Sequence, residues 1–254
     1  MSAPALIALA PASRDPRIAR TLTALVSEVR AQRPDLRVER ALLDPAATGA
    51  RWARPELHSV LDRLVRGGHD EVVVVPIALV TSSEDDHHLA EAARVAAERH
   101  PGLRVRIAAS IGLEACLLEA LDERLREALR DARVRELDAL VLAAPGSTDP
   151  LANQSVARLA RLWGTHHRLP VSAAYAAGAP PATGEAVRAF RAEGRRHVAV
   201  ASLFLTPGAL TDRAAELAEE AGAVAVSGPL AAHPEVARVV LARYAVGAVE
   251  LVPV

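Results

Sequence analysis

One pattern occurs twice in the chain and limits the folds that it can adopt. "ALIALAPASRDP" near the N-terminus and "LDALVLAAPGSTDP" in the second half each run from an apolar stretch into Ala-Pro, then a serine, an aspartate and a proline. Ser13 corresponds to Ser147 and Asp15 to Asp149, and both pairs are 134 residues apart. An ordered repeat of this length indicates two tandem homologous domains.

A second match supports this division of the chain. "VVVVPIALVTSSEDDHHLAEAA" corresponds to "HVAVASLFLTPGALTDRAAELA" at a spacing of 126 residues, and the polar stretch 131–136 separates the two halves. We therefore predict one domain over residues 1–133 and another over residues 134–254.

Short apolar runs alternate with longer segments of helical period, which is typical of α/β units around a mostly parallel sheet. "EVVVVPIAL" is apolar on both faces, as expected of a central strand covered by helices. The predicted fold class is α/β, with two tandem homologous domains, each a mostly parallel sheet flanked by helices. In the first domain the pattern predicts strands over 6–10, 37–42, 71–79 and 103–109, a helix opening at Asp15-Pro16, and helices over 55–65, 88–99 and 114–130.

Composition narrows the class of partner. Of the 254 residues, 51% are apolar and the formal net charge is −1, with no long basic or acidic block. Nucleic acid and membrane are therefore not expected as partners, and a small molecule is. No run approaches the roughly 20 apolar residues needed to cross a bilayer, so a cytoplasmic protein is expected.

Residue usage also excludes some kinds of chemistry. The absence of lysine excludes Schiff-base catalysis. The single cysteine, Cys116, excludes an internal disulfide, and its helical apolar context predicts a buried thiol. The pair His166-His167 is predicted to lie in an exposed loop between a helix and a strand.

Two loops carry most of the chemically versatile side chains. Both follow predicted strands and precede predicted helices, so they should lie at the edge of the first sheet where parallel α/β proteins bind ligands. In the first loop, Ser13 or Asp15 can cap the helix and Pro16 can begin it, which requires no ligand. Arg14 beside a helix N-terminus also suits an anionic ligand, and both interpretations remain open.

The second loop, "VTSSEDDHHL", concentrates carboxylates and imidazoles. Glu84, Asp85, Asp86, His87 and His88 offer ligands compatible with Fe, Co, Ni or Zn, and two or three of them can reach one ion together. The alternative is a solvated acidic segment whose carboxylates favour the N-terminus of a helix that begins near Asp86.

Together with the repeat, these loops resemble the sirohydrochlorin chelatase family, the cobalt and iron chelatases of cobalamin and sirohaem biosynthesis, in its two-domain form. Members show Gly-His-Gly-Ser-Arg-Asp-Pro after the first strand, and the chain keeps Ser13, Arg14, Asp15 and Pro16 of that motif. "VVVVPIAL" is similar to the family's third strand, whose following loop carries a histidine and then an acidic residue. In the second half, "APGSTDP" keeps four motif positions, and "GPLAAHPEVARVVLARY" is similar to the family's last strand-to-helix passage.

The chain departs from the family at chemically important positions. Pro11 replaces the first-loop histidine and Pro145 its counterpart in the second half, and proline neither binds a metal nor accepts a proton. In an ungapped alignment, the histidine in the family's loop after the third strand aligns with Glu84. His87 takes that position only if the loop is shifted by three residues. The same placement puts His88 where an acidic residue is usual.

The resemblance implies a chelatase that inserts a divalent metal, Fe or Co, into sirohydrochlorin or a related tetrapyrrole held between the two domains. Histidine and carboxylates would hold the ion, and a neutral imidazole would accept pyrrole protons. The divalent metal (Fe, Co or Ni) is then a substrate or a cofactor. The residues assigned on this interpretation are Glu84, His87 and His88 for catalysis, Glu84, Asp85, His87 and His88 for the metal, and Ser13 and Arg14 for the ligand's anionic groups.

Two other functions remain open. A non-catalytic carrier of metal or tetrapyrrole would bind without turnover, and a metal-dependent enzyme of another reaction class would reuse the fold on a smaller substrate. The prolines at positions 11 and 145 are the chief support for the second of these, the enzyme of another reaction class. The metal, the tetrapyrrole and the oligomeric state are left open by the sequence.

Overall fold

Strands and helices alternate along the chain in a computed structural model that describes residues 3–11, 13, 15–43, 55–79 and 83–251. Of residues 83–86, 88, 96 and 97 the described part is the helical backbone. The strands are β1 (Ala5–Pro11), β2 (Val38–Leu43), β3 (Glu71–Pro76), β4 (Arg104–Ile107), β5 (Ala139–Ala144), β6 (Val171–Tyr175), β7 (Val198–Ser202) and β8 (Ala225–Val226). The helices are α1 (Pro16–Gln32), α2 (Leu57–Arg66), α3 (Ser83–Arg99), α4 (Leu117–Asp131), α5 (Pro150–His167), α6 (Thr183–Ala192), α7 (Ala209–Glu220) and α8 (Pro234–Val249). Among the described residues, no helix combines the length and apolar character needed to cross a membrane.

The strands form two four-stranded sheets with the same topology. Their orders are β2-β1-β3-β4 and β6-β5-β7-β8, and all neighbouring strands are parallel. β3 and β5 are buried along their whole length, because apolar side chains on both faces are covered by helices. The predicted fold class, two homologous α/β domains with parallel sheets, is confirmed.

The chain divides into two compact units, unit 1 (Met1–Gly112 with Ala232–Val254) and unit 2 (Leu113–Ala231). Unit 1 contains the first sheet with α1, α2, α3 and α8, and unit 2 contains the second sheet with α4 to α7. α4 belongs to unit 2 because it packs on β7 and β8, and α8 belongs to unit 1 because it packs on α1, β3 and β4. The compact units therefore exchange the last helix of each sequence repeat. The division into domains 1–133 and 134–254 stays a prediction.

Polar contacts hold α8 in unit 1. Arg243 Nε donates to the Ser110 carbonyl (2.8 Å), and the Tyr244 hydroxyl donates to the Pro4 carbonyl (2.7 Å). Gly247 lets the helix approach β3 so closely that an added Cβ would lie 2.8 Å from a valine methyl group of that strand. These contacts, together with the apolar face of α8, complete the core of unit 1.

Two local predictions are wrong. Cys116 is exposed immediately before α4, because the buried face of that helix begins one residue later at Leu117. His166-His167 forms the end of α5 instead of an exposed loop, and Arg168 then caps the helix in the left-handed conformation (φ 55°). Each error arises at a helix end, where an apolar period gives little information.

Candidate functional site

The carboxyl ends of β1 and β3 meet at one edge of the first sheet. The strands are parallel neighbours with Leu9 opposite Pro76, and the Ile77 backbone N–H donates to the Leu9 carbonyl (2.7 Å). The segment that leads to α1 and the segment that leads to α3 both leave from this edge. The prediction that the two segments share a sheet edge is confirmed, and it is the edge where parallel α/β proteins bind ligands.

Ser13 and Asp15 organise the segment between β1 and α1. Ser13 Oγ accepts a hydrogen bond from the Asp15 backbone N–H (3.0 Å), and Asp15 Oδ1 caps α1 by accepting from the Arg17 backbone N–H (2.9 Å). Pro11, the last residue of β1, is exposed. Arg14, which we predict to bind the ligand together with Ser13, lies outside the described residues.

The second repeat folds in the same way at this point. Ser147 Oγ accepts from the Asp149 backbone N–H (3.0 Å), and Asp149 Oδ1 caps α5 by accepting from the Leu151 backbone N–H (2.9 Å). The cap residues have nearly equal backbone angles, φ −86° and ψ 114° at Asp15 against φ −80° and ψ 115° at Asp149. The correspondence found in the sequence is therefore a correspondence of local structure.

A side-chain clamp distinguishes the Ser147 loop of the second repeat from the Ser13 loop of the first repeat. Asn153 Oδ1 accepts from the Ser147 backbone N–H (3.0 Å), and Asn153 Nδ2 donates to the Ser147 carbonyl (2.7 Å). The Tyr175 hydroxyl in turn donates to the Asn153 carbonyl (2.8 Å). The corresponding residue of the first repeat is Ala19, which has no amide group to form such a clamp. The backbone N–H and carbonyl of Ser147 are thus hydrogen-bonded within the protein. This favours the Ser13 loop as the one that meets a ligand.

The charge of Asp15 is expected to stabilise the folded chain. Its carboxylate pairs with the Arg17 guanidinium (2.6 Å), and this contact, with the Arg17 backbone N–H, holds the pKa of Asp15 below its ordinary value. Asparagine also caps helices well, so Asp15→Asn removes chiefly the ion pair. We expect it to lower the free energy of unfolding at pH 7 by about 0.5–1 kcal/mol, as measured by urea denaturation, because a partly exposed ion pair contributes modestly.

Asp149→Asn is the matched control for this prediction, since Leu151 takes the place of Arg17 and provides no cation. It should change the free energy of unfolding by only about a few tenths of a kcal/mol. Because the folded-state pKa of Asp15 is lowered, its contribution is present above the unfolded pKa of about 3.9 and is lost as the pH falls through the folded value. The difference between wild type and Asp15→Asn should therefore shrink below about pH 4; a difference that acid leaves unchanged would contradict the ion-pair explanation.

The acid and histidine residues lie at the start of α3 and not in a loop. α3 begins at Ser83, five residues before the predicted start at His88, because carboxylates in a first turn are stabilised by the positive end of the helix. Glu84, Asp85, His87 and His88 therefore occupy its first two turns. Helical spacing makes position 84 a neighbour of positions 87 and 88. The side chains of Glu84, Asp85 and His88 lie outside the described part of the chain.

His87 is the described side chain of this predicted set, and it is exposed. Leu89 is buried in the apolar core of unit 1, which fixes the side of α3 that packs against the sheet. Glu91, one turn after His87, forms a salt bridge with Arg94 (2.6 Å). The Arg94 hydrogen bond holds the pKa of Glu91 below its ordinary value, and the charge of His87 acts in the same direction. Glu91 is thus engaged by an arginine, and His87 is exposed in the second turn of the helix that follows β3.

A second group of metal-capable side chains was not predicted from the sequence. Asp122 of α4 and the pair His166-His167 of α5 bring one carboxylate and two imidazole ligand atoms within 4.8 Å of one another. No local pattern joins them, because 45 residues separate Asp122 from His167. One signal was available: Asp122 stands among the apolar residues of α4, next to Leu121, where a carboxylate requires a partner.

Comparison with known protein families matches one family model, CbiX, to residues 5–128 and again to residues 139–246. The chain belongs to the CbiX family. The double match explains why the strand, the Ser-Asp-Pro loop and the helix recur, and it confirms the resemblance to the sirohydrochlorin chelatases drawn from those loops.

Curated relatives of this CbiX-family chain include two proteins of Priestia megaterium. It is 27% identical over 171 residues to a sirohydrochlorin cobaltochelatase, an alignment that covers 66% of this chain and 56% of the relative. It is 25% identical over 169 residues to a sirohydrochlorin ferrochelatase, covering 66% of this chain and 63% of the relative. The chain therefore spans less than two thirds of the length of the curated relatives that it matches.

Solved structures show the same CbiX-family fold. SirB from Bacillus subtilis with Fe³⁺ matches with a TM-score of 0.77 and 21% identity over 96% of each chain. The sirohydrochlorin chelatase SirB from Bacillus subtilis subspecies spizizenii in complex with cobalt matches with a TM-score of 0.76 and 19% identity, covering 98% of this chain and 97% of that one. At this level of identity the likeness establishes the fold.

Proposed function

We propose that the chain is a metal chelatase that inserts a divalent ion, Fe²⁺ or Co²⁺, into sirohydrochlorin or a closely related tetrapyrrole. Its relatives are named for cobalt and iron insertion into sirohydrochlorin, and the similar SirB structures are described with Fe³⁺ and with cobalt. The observation that carries the proposal is the position of Glu84, Asp85, His87 and His88 in the first turns of α3. This helix leaves the sheet edge that also gives rise to the Ser13 segment.

Metal insertion exchanges one divalent cation for two protons. As the ion binds the four macrocycle nitrogens, two pyrrole N–H protons leave, so the site needs ligands that hold the ion and a base that accepts protons. A neutral imidazole can do both near pH 7, and carboxylates are ligands for divalent ions. We assign metal capture to Glu84, Asp85, His87 and His88, and proton acceptance to Glu84, His87 and His88.

The segment after β1 is assigned to macrocycle binding and not to metal chemistry. Pro11 ends β1 where the family usually has a histidine, and it provides neither a lone pair for a metal nor a base. Ser13 and Arg14 follow within three residues. An arginine pairs bidentately with carboxylates, which suits the anionic groups at the rim of a sirohydrochlorin-type macrocycle.

An anaerobic metallation assay tests the proposed activity. Purified protein is mixed with sirohydrochlorin and either Fe²⁺ or Co²⁺, and insertion is followed by the change in visible absorption. We expect an initial rate at least about tenfold above spontaneous insertion at the same metal concentration, because a positioned general base alone accelerates proton transfer by more than this.

Heat-denatured protein at equal concentration controls for metal delivered without a folded site. A rate equal to the spontaneous one with both ions contradicts the chelatase proposal. The prolines at positions 11 and 145 favour one alternative, a carrier of metal or tetrapyrrole. Calorimetric binding of the ion or the macrocycle without acceleration would support that carrier function.

A further inference from the structure

Asp122, His166 and His167 form a cluster within unit 2 that the proposed chelatase site does not use. The histidines end α5, which leaves the sheet after β5 and returns to the amino end of β6. In a parallel α/β fold this is the edge opposite the one that carries the Ser147 loop. The three candidate ligand atoms, a carboxylate oxygen and two imidazole nitrogens, all lie within 4.8 Å of one another.

The carboxylate of Asp122 is held in place by a buried partner. Its side chain is only 8% exposed, and Oδ1 accepts a hydrogen bond from Nε1 of the fully buried Trp163 (2.7 Å). His167 Nε2 lies 2.7 Å from the same oxygen. An indole N–H that fixes a carboxylate is the kind of supporting contact that orients metal ligands in proteins. The carboxylate is therefore in position before any ion binds, and an ion bound by His167 Nε2 replaces the proton shared with Oδ1, which is released to solvent.

The other carboxylate oxygen, Oδ2, has two nitrogen neighbours that lie beyond hydrogen-bond distance. Asp122 Oδ2 lies 4.0 Å from His166 Nε2 and 3.7 Å from Arg126 Nη2, and both distances are too long for a direct hydrogen bond. Ligand bonds of about 2.0–2.2 Å place neighbouring ligands of a tetrahedral ion about 3.4 Å apart. A rotation of His166, whose side chain is 70% exposed, closes this gap, and the 59% exposed Arg126 can turn towards solvent.

The backbone around the histidines also favours a cation. His166 and His167 stand in the last turn of α5, where the final carbonyl groups give the helix end a partial negative charge. His167 meets the Trp163 ring edge-on (centroids 5.3 Å apart) and the His166 ring edge-on (5.1 Å). These ring contacts limit the orientations of His167 and keep its Nε2 beside Asp122.

We propose that Asp122, His166 and His167 bind a divalent transition-metal ion, Zn²⁺ or Co²⁺, with water completing the coordination. Two imidazoles and one carboxylate are the donor set that such ions prefer. The bound ion would join α4 to the end of α5 and so stabilise unit 2. This site is separate from the proposed chelatase site and does not depend on that function.

Cobalt titration of a variant that lacks the α3 histidines tests the site. In the His87→Ala/His88→Ala background, Co²⁺ binding is followed by the visible d–d absorption and by the unfolding temperature. We expect about one Co²⁺ per chain and a higher unfolding temperature, since an ion that binds the folded state stabilises it. Adding His166→Ala should weaken binding at least about tenfold, because one of three protein ligands is lost.

Two further variants make the result specific. Asp122→Asn keeps an acceptor for the Trp163 N–H, so it should fold while binding Co²⁺ at least about tenfold more weakly. His197→Ala is the control, because this half-buried histidine also lies beside a single carboxylate, that of Asp138 (3.9 Å), and should leave binding unchanged. Absence of Co²⁺ binding in the background variant overturns the proposal. Binding that survives either His166→Ala or Asp122→Asn overturns it as well.

Discussion

Replacing His87 and His88 together by alanine is expected to lower the rate of metal insertion at least about 100-fold, the contribution usual for a positioned acid–base group. Pro11 removes the family's other histidine, so the variant leaves only Glu84 of the three assigned bases, and a carboxylate is a weaker base than a neutral imidazole. Initial metallation rates measured over a range of macrocycle concentrations give the effect on kcat and KM separately. We expect the loss to fall on kcat, since Ser13 and Arg14 are left to bind the macrocycle.

His69→Ala is the control variant for this prediction. His69 precedes β3 at its amino end, whereas α3 follows the carboxyl end of the same strand, so the control removes an imidazole from unit 1 without touching the proposed site. It should retain the wild-type rate. An unchanged rate in the double alanine variant would remove the α3 histidines from the mechanism, and an equal loss in His69→Ala would show a general effect on the fold.

Gly146→Ala is expected to destabilise the protein by at least about 3 kcal/mol, or to prevent folding of unit 2 altogether. Gly146 has φ +82°, a conformation that costs an alanine about 1–2 kcal/mol. In addition, the new Cβ would lie 1.9 Å from the Ala177 carbonyl oxygen and 3.0 Å from the Tyr175 Cβ. Both are backbone or near-backbone atoms that cannot turn away. Urea denaturation measures the loss, and a fall in soluble yield is the extreme form of the same result.

Gly194→Ala separates the two causes. Gly194 also has a positive φ (+89°) and belongs to unit 2, but nothing lies within 4 Å of its added Cβ. It should therefore lose only about 1–2 kcal/mol, the backbone contribution. Equal losses of unfolding free energy in the two variants would mean that a Cβ at position 146 does not clash with the Ala177 backbone. The expected difference bears on the proposed function, because a tightly packed Ser147 loop supports the proposal that the Ser13 segment binds the ligand.

The architecture could be predicted from the sequence because it follows from local residue patterns. Two-sided apolar runs such as that of β3 indicate parallel strands covered by helices, and the Ser-Asp-Pro motif predicts a capped helix wherever it occurs. Ser13 with Asp15 and Ser147 with Asp149 form the same hydrogen bonds in both repeats. These features require no knowledge of distant contacts.

The remaining features depend on contacts that no local pattern contains. The start of α3 was ambiguous because the same carboxylates suit a solvated loop and a helix N-terminus. The exchange of α4 and α8 between units depends on which sheet each apolar face meets. Asp122 contacts Trp163 and His167, which lie 41 and 45 residues later in the chain. Neither its burial nor its partners could therefore be deduced from neighbouring residues.

The exchange of helices also determines the order in which the chain can fold during synthesis. Unit 2 is continuous, so all of its strands and helices are synthesised before α8. Unit 1 is discontinuous: its sheet is synthesised first, yet the surface of β3 and β4 that α8 covers stays open until the last helix emerges. Domains usually fold from the N-terminus onwards as they are made. The first sheet to be synthesised is therefore completed only after the second, and the apolar surface that α8 covers stays open to aggregation or to chaperones while unit 2 is being made.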